Sequence, residues 1–199
     1  MATTHRPVHE TGPVVVETDV VTSSAARKAL AVLRIAFGLT FLWAFFDKLL
    51  ALGWHTGWVT AEDGTETLDR FGAAAWVNGG SPTEGFLKYG VSESNWLHGF
   101  YNAIGGTWYA DWLFMLGLLG LGLALTFGFG MRIAMVTGAL LYFLMWTASF
   151  PLENNPVLDE HVLGAASLVV LGLTLAGDTW GVGKRWARTQ LVRDNSWLR

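Results

Sequence analysis

The chain has 199 residues, 52% of them hydrophobic, and a formal net charge of −3. It contains no cysteine, which excludes disulfides, thiolate-ligated iron–sulfur clusters and covalent c-type haem attachment. A chain of this size and apolar content is typical of one compact membrane domain with tails.

The N-terminal segment is polar and rich in Thr, Val and Glu. It lacks the apolar stretch that follows a short basic start in a signal peptide, so we expect no cleaved signal there. The predicted layout is a mobile cytoplasmic tail over residues 1–28, a membrane domain over 29–178 and a basic cytoplasmic tail over 179–199.

Four stretches of the membrane domain are apolar enough to cross a bilayer, whose hydrocarbon core of about 30 Å requires roughly 20 helical residues. Helices are favoured because each one satisfies its own backbone amides where water is absent. Two of the connections are short, so the pattern predicts an all-α membrane protein, a four-transmembrane-helix antiparallel bundle. The predicted spans are 29–52, 112–128, 133–150 and 157–176.

Basic residues indicate the orientation, because Lys and Arg near span ends are held in the cytoplasm. The side of the termini has 10 Lys and Arg against 5 Asp and Glu, a net charge of +5. The opposite side has 3 Lys and Arg against 11 Asp and Glu, a net charge of −8. The sequence therefore predicts a plasma-membrane protein with both termini cytoplasmic.

The first predicted span carries three ionisable residues, Arg34, Asp47 and Lys48. An ionisable side chain costs free energy in a bilayer, so it is usually retained there only where it has a structural or functional role. Arg34 lies near the inner end, where it can reach the headgroups as an interface anchor or contact a ligand. Asp47 and Lys48, at the outer end, form either an interfacial pair or part of a functional site.

Aromatic residues lie between these charges. At about 100° per residue, Phe41 and Phe45 fall on the stripe of Lys48, and Trp43 falls on the adjacent stripe with Asp47. This pattern is typical of ordinary packing or of a slot for a flat apolar ring such as a quinone. In the second case, Lys48 donates a hydrogen bond and Asp47 relays protons.

The connection over residues 53–110 is too long for a simple linker and is predicted to be a structured outer loop carrying short amphipathic helices. A capping box that begins at Ser81 and Pro82 predicts one helix over 82–89, and a second amphipathic run begins at Ser94. Tryptophans are frequent here, as at a membrane surface. The loop either shelters a lipid-soluble ligand or docks a partner.

Small residues recur at intervals of four in the second and fourth spans. This spacing lets helix axes approach closely. It favours a tight bundle or, equally, a homo-oligomer seam. The residues are Gly120, Ala124, Gly128, Gly172 and Ala176.

The start of the fourth span is predicted at Asn155, the N-cap, with Pro156 at the first helical position. Asp159, Glu160 and His161 follow in the first turns. The acids there complement the positive end of the helix. Alternatively, His161 and a neighbouring carboxylate handle protons at the outer rim.

In an antiparallel bundle the end of the first span and the start of the fourth lie at one depth. The candidate catalytic group is therefore Asp47, Lys48, Asp159 and His161. The candidate cofactor contacts are Arg34, Phe41, Trp43, Phe45 and Asn154. No metal site is predicted, because the spacing around His161 matches no metal signature, and no haem, because no two histidines share a span.

Five groups of residues resemble the DoxX/DoxD family of membrane proteins, and the likeness covers about residues 30–186. They are Leu33, Arg34, Gly38, Trp43, Asp47 and Lys48; the loop from Trp76 to Pro82; Asn154, Asn155 and Pro156; Asp159 and His161; and the exit from Gly177 to Gly181. The resemblance implies a four-helix membrane protein. For the DoxD branch it implies the large subunit of a thiosulfate:quinone oxidoreductase that works with a smaller partner.

The sequence thus favours the membrane subunit of a quinone-linked redox system, which binds a quinone head near the outer membrane face. Its expected partners are the lipid bilayer and another redox subunit or respiratory complex. The alternative is a non-enzymatic scaffold or assembly factor for such a complex. Nucleic acid is not an expected partner, since the basic C-terminal residues suit topology and anionic lipid headgroups.

Overall fold

The computed structural model describes residues 14–61, 63–153 and 155–199, and most of them are helical. Two short strands form an antiparallel hairpin, in which Trp58 pairs with Leu68. The helices are α1 Glu17–Val20, α2 Ser24–Leu50, α3 His98–Ile104, α4 Trp108–Phe127, α5 Met131–Ala148, α6 Glu160–Leu173, α7 Gly183–Trp186 and α8 Gln190–Asp194. The strands are β1 Trp58–Thr60 and β2 Glu66–Leu68, two 3-10 turns cover Trp76–Asn78 and Ser196–Leu198, and a π-helical turn covers Gly85–Gly90.

Three helices are long and apolar enough to cross a membrane: α2 with 27 residues, α4 with 20 and α5 with 18. This confirms a mainly helical chain with helices of membrane-spanning length. The apolar helix α6 has 14 residues, or about 21 Å at 1.5 Å per residue, which is less than a hydrocarbon core. Its helical part is shorter than the span predicted over 157–176.

The late start of α6 has a local cause. Asn155 does not cap the helix, because its side-chain oxygen accepts from the N–H groups of Val157 and Leu158 and holds a turn before it. The N-cap is Asp159, which accepts from the N–H groups of His161 and Val162. The start predicted at Asn155 is therefore wrong by four residues.

Glycines set the approach of neighbouring helices. A Cβ on Gly38 of α2 would clash with the Thr126 hydroxyl of α4, and one on Gly138 of α5 would clash with the Leu168 side chain of α6. Helix α2 thus packs antiparallel along α4, and α5 along α6. Gly120, which the four-residue spacing placed in a seam, has no atom within 4 Å of a Cβ position, so it lies outside these contacts.

The segment 51–107 between α2 and α4 is structured and is tied to helix ends by buried polar side chains. The Asp111 carboxylate of α4 accepts from the Ser81 hydroxyl at 2.8 Å and from the Thr83 hydroxyl at 2.6 Å. The Asn95 amide donates to carbonyls at the end of α5, including that of Thr147 at 2.9 Å. These bonds fix the segment against the bundle.

Two details of this segment differ from the sequence prediction. The helix predicted over 82–89 is a π-helical turn at Gly85–Gly90, and the second amphipathic run is α3. The hairpin was not predicted, because strands of three residues are too short to show alternation. The fold is therefore helical apart from this one strand pair in the described residues.

Replacing Asp111 with Ala should loosen segment 81–106 from the bundle. The change leaves the buried hydroxyl of Thr83 and the partly buried hydroxyl of Ser81 without their acceptor, at a cost of about 1–3 kcal/mol. Limited proteolysis and amide hydrogen exchange of the solubilised protein should show faster cleavage and exchange there. The exposed Asp63→Ala is the control, and equal protection in both variants would contradict the anchoring role.

Candidate functional site

Asp47 holds the turn that leaves α2. Its carboxylate is buried, and its two oxygens accept from the N–H groups of Trp54 at 2.9 Å and of His55 at 3.0 Å. Among the described residues, no other side chain forms a hydrogen bond or ion pair with it, so its contacts are those of a helix-end cap rather than of a proton relay. The predicted relay role of Asp47 finds no support in this geometry.

Lys48 keeps its hydrogen-bonding capacity. Its ammonium nitrogen lies 5.9 Å from the centroid of the Phe114 ring, within the range of a cation–π contact. Across residues 14–61, 63–153 and 155–199, no hydrogen bond or ion pair engages the half-buried Lys48 side chain. It is therefore available as a donor at the end of the bundle where α2 ends.

The three aromatic residues predicted to contact a cofactor lie on two sides of α2. Phe41 and Phe45 are buried in the core, whereas Trp43 is 46% exposed and packs edge-on against Trp54, with ring centroids 5.5 Å apart. A step of two residues turns a helix by about 200°, which places Trp43 opposite its neighbours. Only Phe41 and Phe45 can contribute to an internal site.

His161 and Asp159 form a close pair at the start of α6. The His161 Nδ1 atom lies 2.6 Å from an Asp159 carboxylate oxygen, and both side chains are mostly buried. A carboxylate in this position fixes the orientation of the imidazole ring and leaves the Nε2 atom facing elsewhere. The pair therefore holds the His161 imidazole in one orientation.

Tyr142 of α5 connects this pair to α2, a contact that the sequence pattern did not predict. Its ring centroid lies 6.2 Å from that of His161 and 5.7 Å from that of Phe41. In the part of the chain that the structure describes, no hydrogen bond engages the Tyr142 hydroxyl. We call Phe41, Tyr142 and His161 the aromatic bridge. The signal in the sequence was a single phenol within an apolar span.

The predicted convergence of four residues is partly present. Lys48 and the Asp159–His161 pair belong to the same end of the bundle, since α2 ends and α6 begins there. No hydrogen bond or ion pair among the described side chains joins one to the other. The aromatic bridge instead supplies the connection between α2 and α6.

Three neighbouring side chains beside this site could offer ligand atoms to a metal ion, but their contacts do not define a metal site. Ligand atoms of Asp159, Glu160 and His161 lie within 4.8 Å of one another. Asp159 is already used as the N-cap and as the partner of His161, and Glu160 is exposed. Asn154, the remaining predicted cofactor contact, lies outside the described residues.

Arg34 is fully buried at the opposite end of the bundle and has no donor left for a ligand. Its Nε donates to the carbonyl of Ala176 at 3.0 Å, and each of its two terminal nitrogens donates to two further backbone carbonyls. Those acceptors are the carbonyls of Leu125, Thr126, Thr179 and Trp180. A guanidinium has five N–H groups, so the set is complete. Arg34 is neither a headgroup anchor nor a cofactor contact.

Buried charges join both terminal segments to this end. The Asp178 carboxylate accepts from the N–H group of Glu17 at 2.9 Å and from the Arg199 guanidinium at 2.7 Å. The Glu17 carboxylate in turn accepts from the Thr179 hydroxyl at 2.5 Å. Glu17 is 1% exposed and Arg199 is 8% exposed. The two segments therefore meet at residues 178 and 179.

This contact changes the predicted N-terminal tail. Within residues 1–28, the described part from residue 14 onward includes α1 and the first turns of α2, which begins at Ser24 rather than at residue 29. The polar composition of this segment suggested a mobile tail. One of its polar residues, Glu17, instead docks against Thr179 through its carboxylate. The C-terminal residues 179–199 likewise contain α7 and α8.

Burial raises the pKa of the Glu17 carboxyl, and the nearby Asp178 carboxylate adds to the effect, while the Thr179 hydroxyl and the charge of Arg27 oppose it. The charges of Arg34 and, through Asp178, of Arg199 also lie close by. The folded protein thus holds a proton on Glu17 more tightly than the unfolded chain does.

Comparison with known proteins adds no relative: no family model, no curated protein and no solved structure matches the chain.

Replacing Arg34 with Ala should lower the free energy of unfolding by about 3 kcal/mol or more, because five carbonyls, two at the end of α4 and three in the turn after α6, lose their donor. Lys should rescue little, since an ammonium has three donors and cannot reach five carbonyls together. Unfolding of the solubilised protein by heat or denaturant measures the effect. Arg132→Ala, at an exposed site, is the control; equal loss in both would contradict the role of Arg34.

Docking of the N-terminal segment should strengthen as the pH falls from 7 towards the usual Glu range. Because the folded pKa is raised, the folded state binds more protons in the window between the unfolded and folded pKa values, so stability declines as the pH rises through it. Hydrogen exchange at residues 14–21, measured against pH, reports the docking. Glu17→Gln should flatten this pH dependence. A pH profile that the substitution leaves unchanged would contradict the role of Glu17.

Proposed function

We propose that this chain is a four-span membrane protein that binds the ring of a lipid-soluble quinone beside the aromatic bridge, as the membrane subunit of a redox system. Its termini are cytoplasmic in this proposal, and segment 51–107 covers the outer end. The charge asymmetry of +5 against −8 supports this orientation. Apolar residues that flank α6 allow it to complete the fourth crossing.

The observation that carries the binding proposal is the free hydroxyl of Tyr142 between two other rings. Phe41 and His161 flank it at centroid distances of 5.7 and 6.2 Å. A quinone head is flat and apolar with two carbonyl oxygens, so it needs aromatic surfaces and a hydrogen-bond donor near each oxygen. The Tyr142 hydroxyl is one such donor, and Lys48 is a second at the same end.

Proton handling falls to His161 in this proposal. Reduction of a quinone to a quinol takes up two protons, and an imidazole can act as the group that passes protons to the ligand. The Asp159 carboxylate orients the ring through its 2.6 Å contact with Nδ1, which leaves Nε2 for exchange with the ligand. Asp47 has no part in this step, because it caps the turn after α2.

Electrons must come from another subunit. The chain has no cysteine for iron–sulfur ligation, and its sequence predicts no haem, so a partner redox protein is proposed to reduce or oxidise the quinone. This assignment follows the resemblance to the DoxX/DoxD family. Direct capture of thiosulfate is less favoured than quinone contact, since an outer side of net charge −8 repels a dianion.

A second candidate function is a membrane scaffold or assembly factor. It is favoured by the large aromatic side chains that segment 51–107 exposes. Trp54 is 68% exposed, Tyr89 is 79% exposed and Trp96 is 73% exposed. Such rings suit a membrane surface or a protein partner. Deleting these rings should abolish partner pull-down if the scaffold function holds.

Tyr142→Phe and His161→Gln should each weaken quinone binding by about tenfold, since each removes one polar contact, worth roughly 1–1.5 kcal/mol. Binding is measured by quenching of tryptophan fluorescence with a short-chain quinone analogue and by extraction of quinones that co-purify from the membrane. The matched control is Tyr89→Phe, which alters an exposed phenol.

The outcome separates the two functions. Loss of binding in the two bridge variants, with normal partner pull-down, supports the quinone subunit. If the unaltered protein neither carries quinone nor shows quenching, the quinone proposal fails.

A further inference from the structure

A second open feature lies at the end of the bundle opposite to the aromatic bridge. It is a groove between the last turn of α4 and the loop before α7, and it encloses about 650 Å³ including its open side. We call it the rim groove. Its lining residues are Thr126, Phe127, Trp180, Gly181, Val182 and Arg185.

The end of an α-helix is normally unfavourable for an anion, because its last carbonyls carry partial negative charge. Here those carbonyls are already neutralised. Arg34 donates to the carbonyls of Thr126 and Trp180, and the N–H group of Val182 donates to the carbonyl of Phe127 at 2.8 Å. The groove therefore has a guanidinium beneath its floor instead of a row of free acceptors.

The groove also presents donors. The N–H groups of Trp180 and Gly181 have no acceptor within residues 14–61, 63–153 and 155–199. Arg185 is exposed at the edge of the groove, and its guanidinium makes no hydrogen bond or ion pair with a described residue. The two acids beside this turn are both engaged: Asp178 is paired with Arg199 at 2.7 Å, and the Glu17 carboxylate accepts from the Thr179 hydroxyl at 2.5 Å. These features suit a phosphate group.

The remaining wall is apolar and open. Phe127 is 53% exposed, Trp180 is 59% exposed and Val182 is 38% exposed. A free phosphate ion would leave these side chains in water, whereas the acyl chain of a phospholipid would cover them. Charge and apolar surface are thus combined as in a lipid with an anionic head.

We propose that the rim groove binds one anionic phospholipid, with its phosphate at Arg185 and the free N–H groups and its acyl chain along Phe127 and Trp180. This site depends on membrane insertion but not on quinone binding. Because α2, α4 and residues 176–180 all meet at Arg34 beneath the groove, a lipid here also holds these three parts together.

Native mass spectrometry of the full chain, released from phosphatidylcholine nanodiscs that contain added phosphatidylglycerol, tests the proposal. One phosphatidylglycerol should be retained in preference to phosphatidylcholine. Arg185→Gln should weaken that retention about tenfold, because a charge-assisted hydrogen bond to phosphate is lost. The matched control is Arg188→Gln, an exposed basic residue outside the groove, which should bind as the unaltered protein does.

Several results would overturn the site. Equal retention of the two lipids, or unchanged retention in Arg185→Gln, would contradict it directly. Equal loss in both variants would indicate a diffuse film of anionic lipid instead. Displacement by excess inorganic phosphate would show that the groove takes the free ion rather than a lipid. None of these readouts depends on quinone, so failure here is distinguishable from failure of the quinone proposal.

Discussion

The fold depends on one buried guanidinium. Arg34 donates all five of its N–H groups to backbone carbonyls, and these carbonyls belong to the end of α4 and to residues 176–180. In an apolar interior, each free carbonyl is costly, and a free guanidinium is far more so. Neither is stable without the other, so three separate parts of the chain are held in one arrangement.

Arg34 also explains why the two terminal segments fold where they do. Its contact with Thr179 and Trp180 fixes the turn after α6, and that turn then presents Asp178 to Glu17 and Arg199. The sequence showed only that these segments are polar and basic. Their docking arises from a geometry set elsewhere in the chain, which composition does not encode.

The long apolar helices were predictable, because a run of roughly 20 apolar residues has few other structures open to it. The role of Arg34 was not predictable, because its acceptors are backbone carbonyls 91 to 146 residues away along the chain and backbone carbonyls have no sequence signature. The start of α6 was missed because Asn155 and Asp159 both suit an N-cap. At the aromatic bridge, Phe41 and His161 were identified, but Tyr142 between them was not, because helix pairing decides which rings meet.

The two ends of the bundle differ in how their polar side chains are partnered. At the Arg34 end each buried charged side chain has a polar partner, as charges in an apolar setting require, although one oxygen of Glu17 and one nitrogen of Arg199 have none among the described residues. At the other end, Lys48 and Tyr142 have no hydrogen-bond partner among the described residues, although both are partly buried. Stability alone would favour apolar side chains at these two positions. These polar atoms are the basis of the ligand site proposed for this end, and the Arg34 contacts hold α2 and α4 together at the other end.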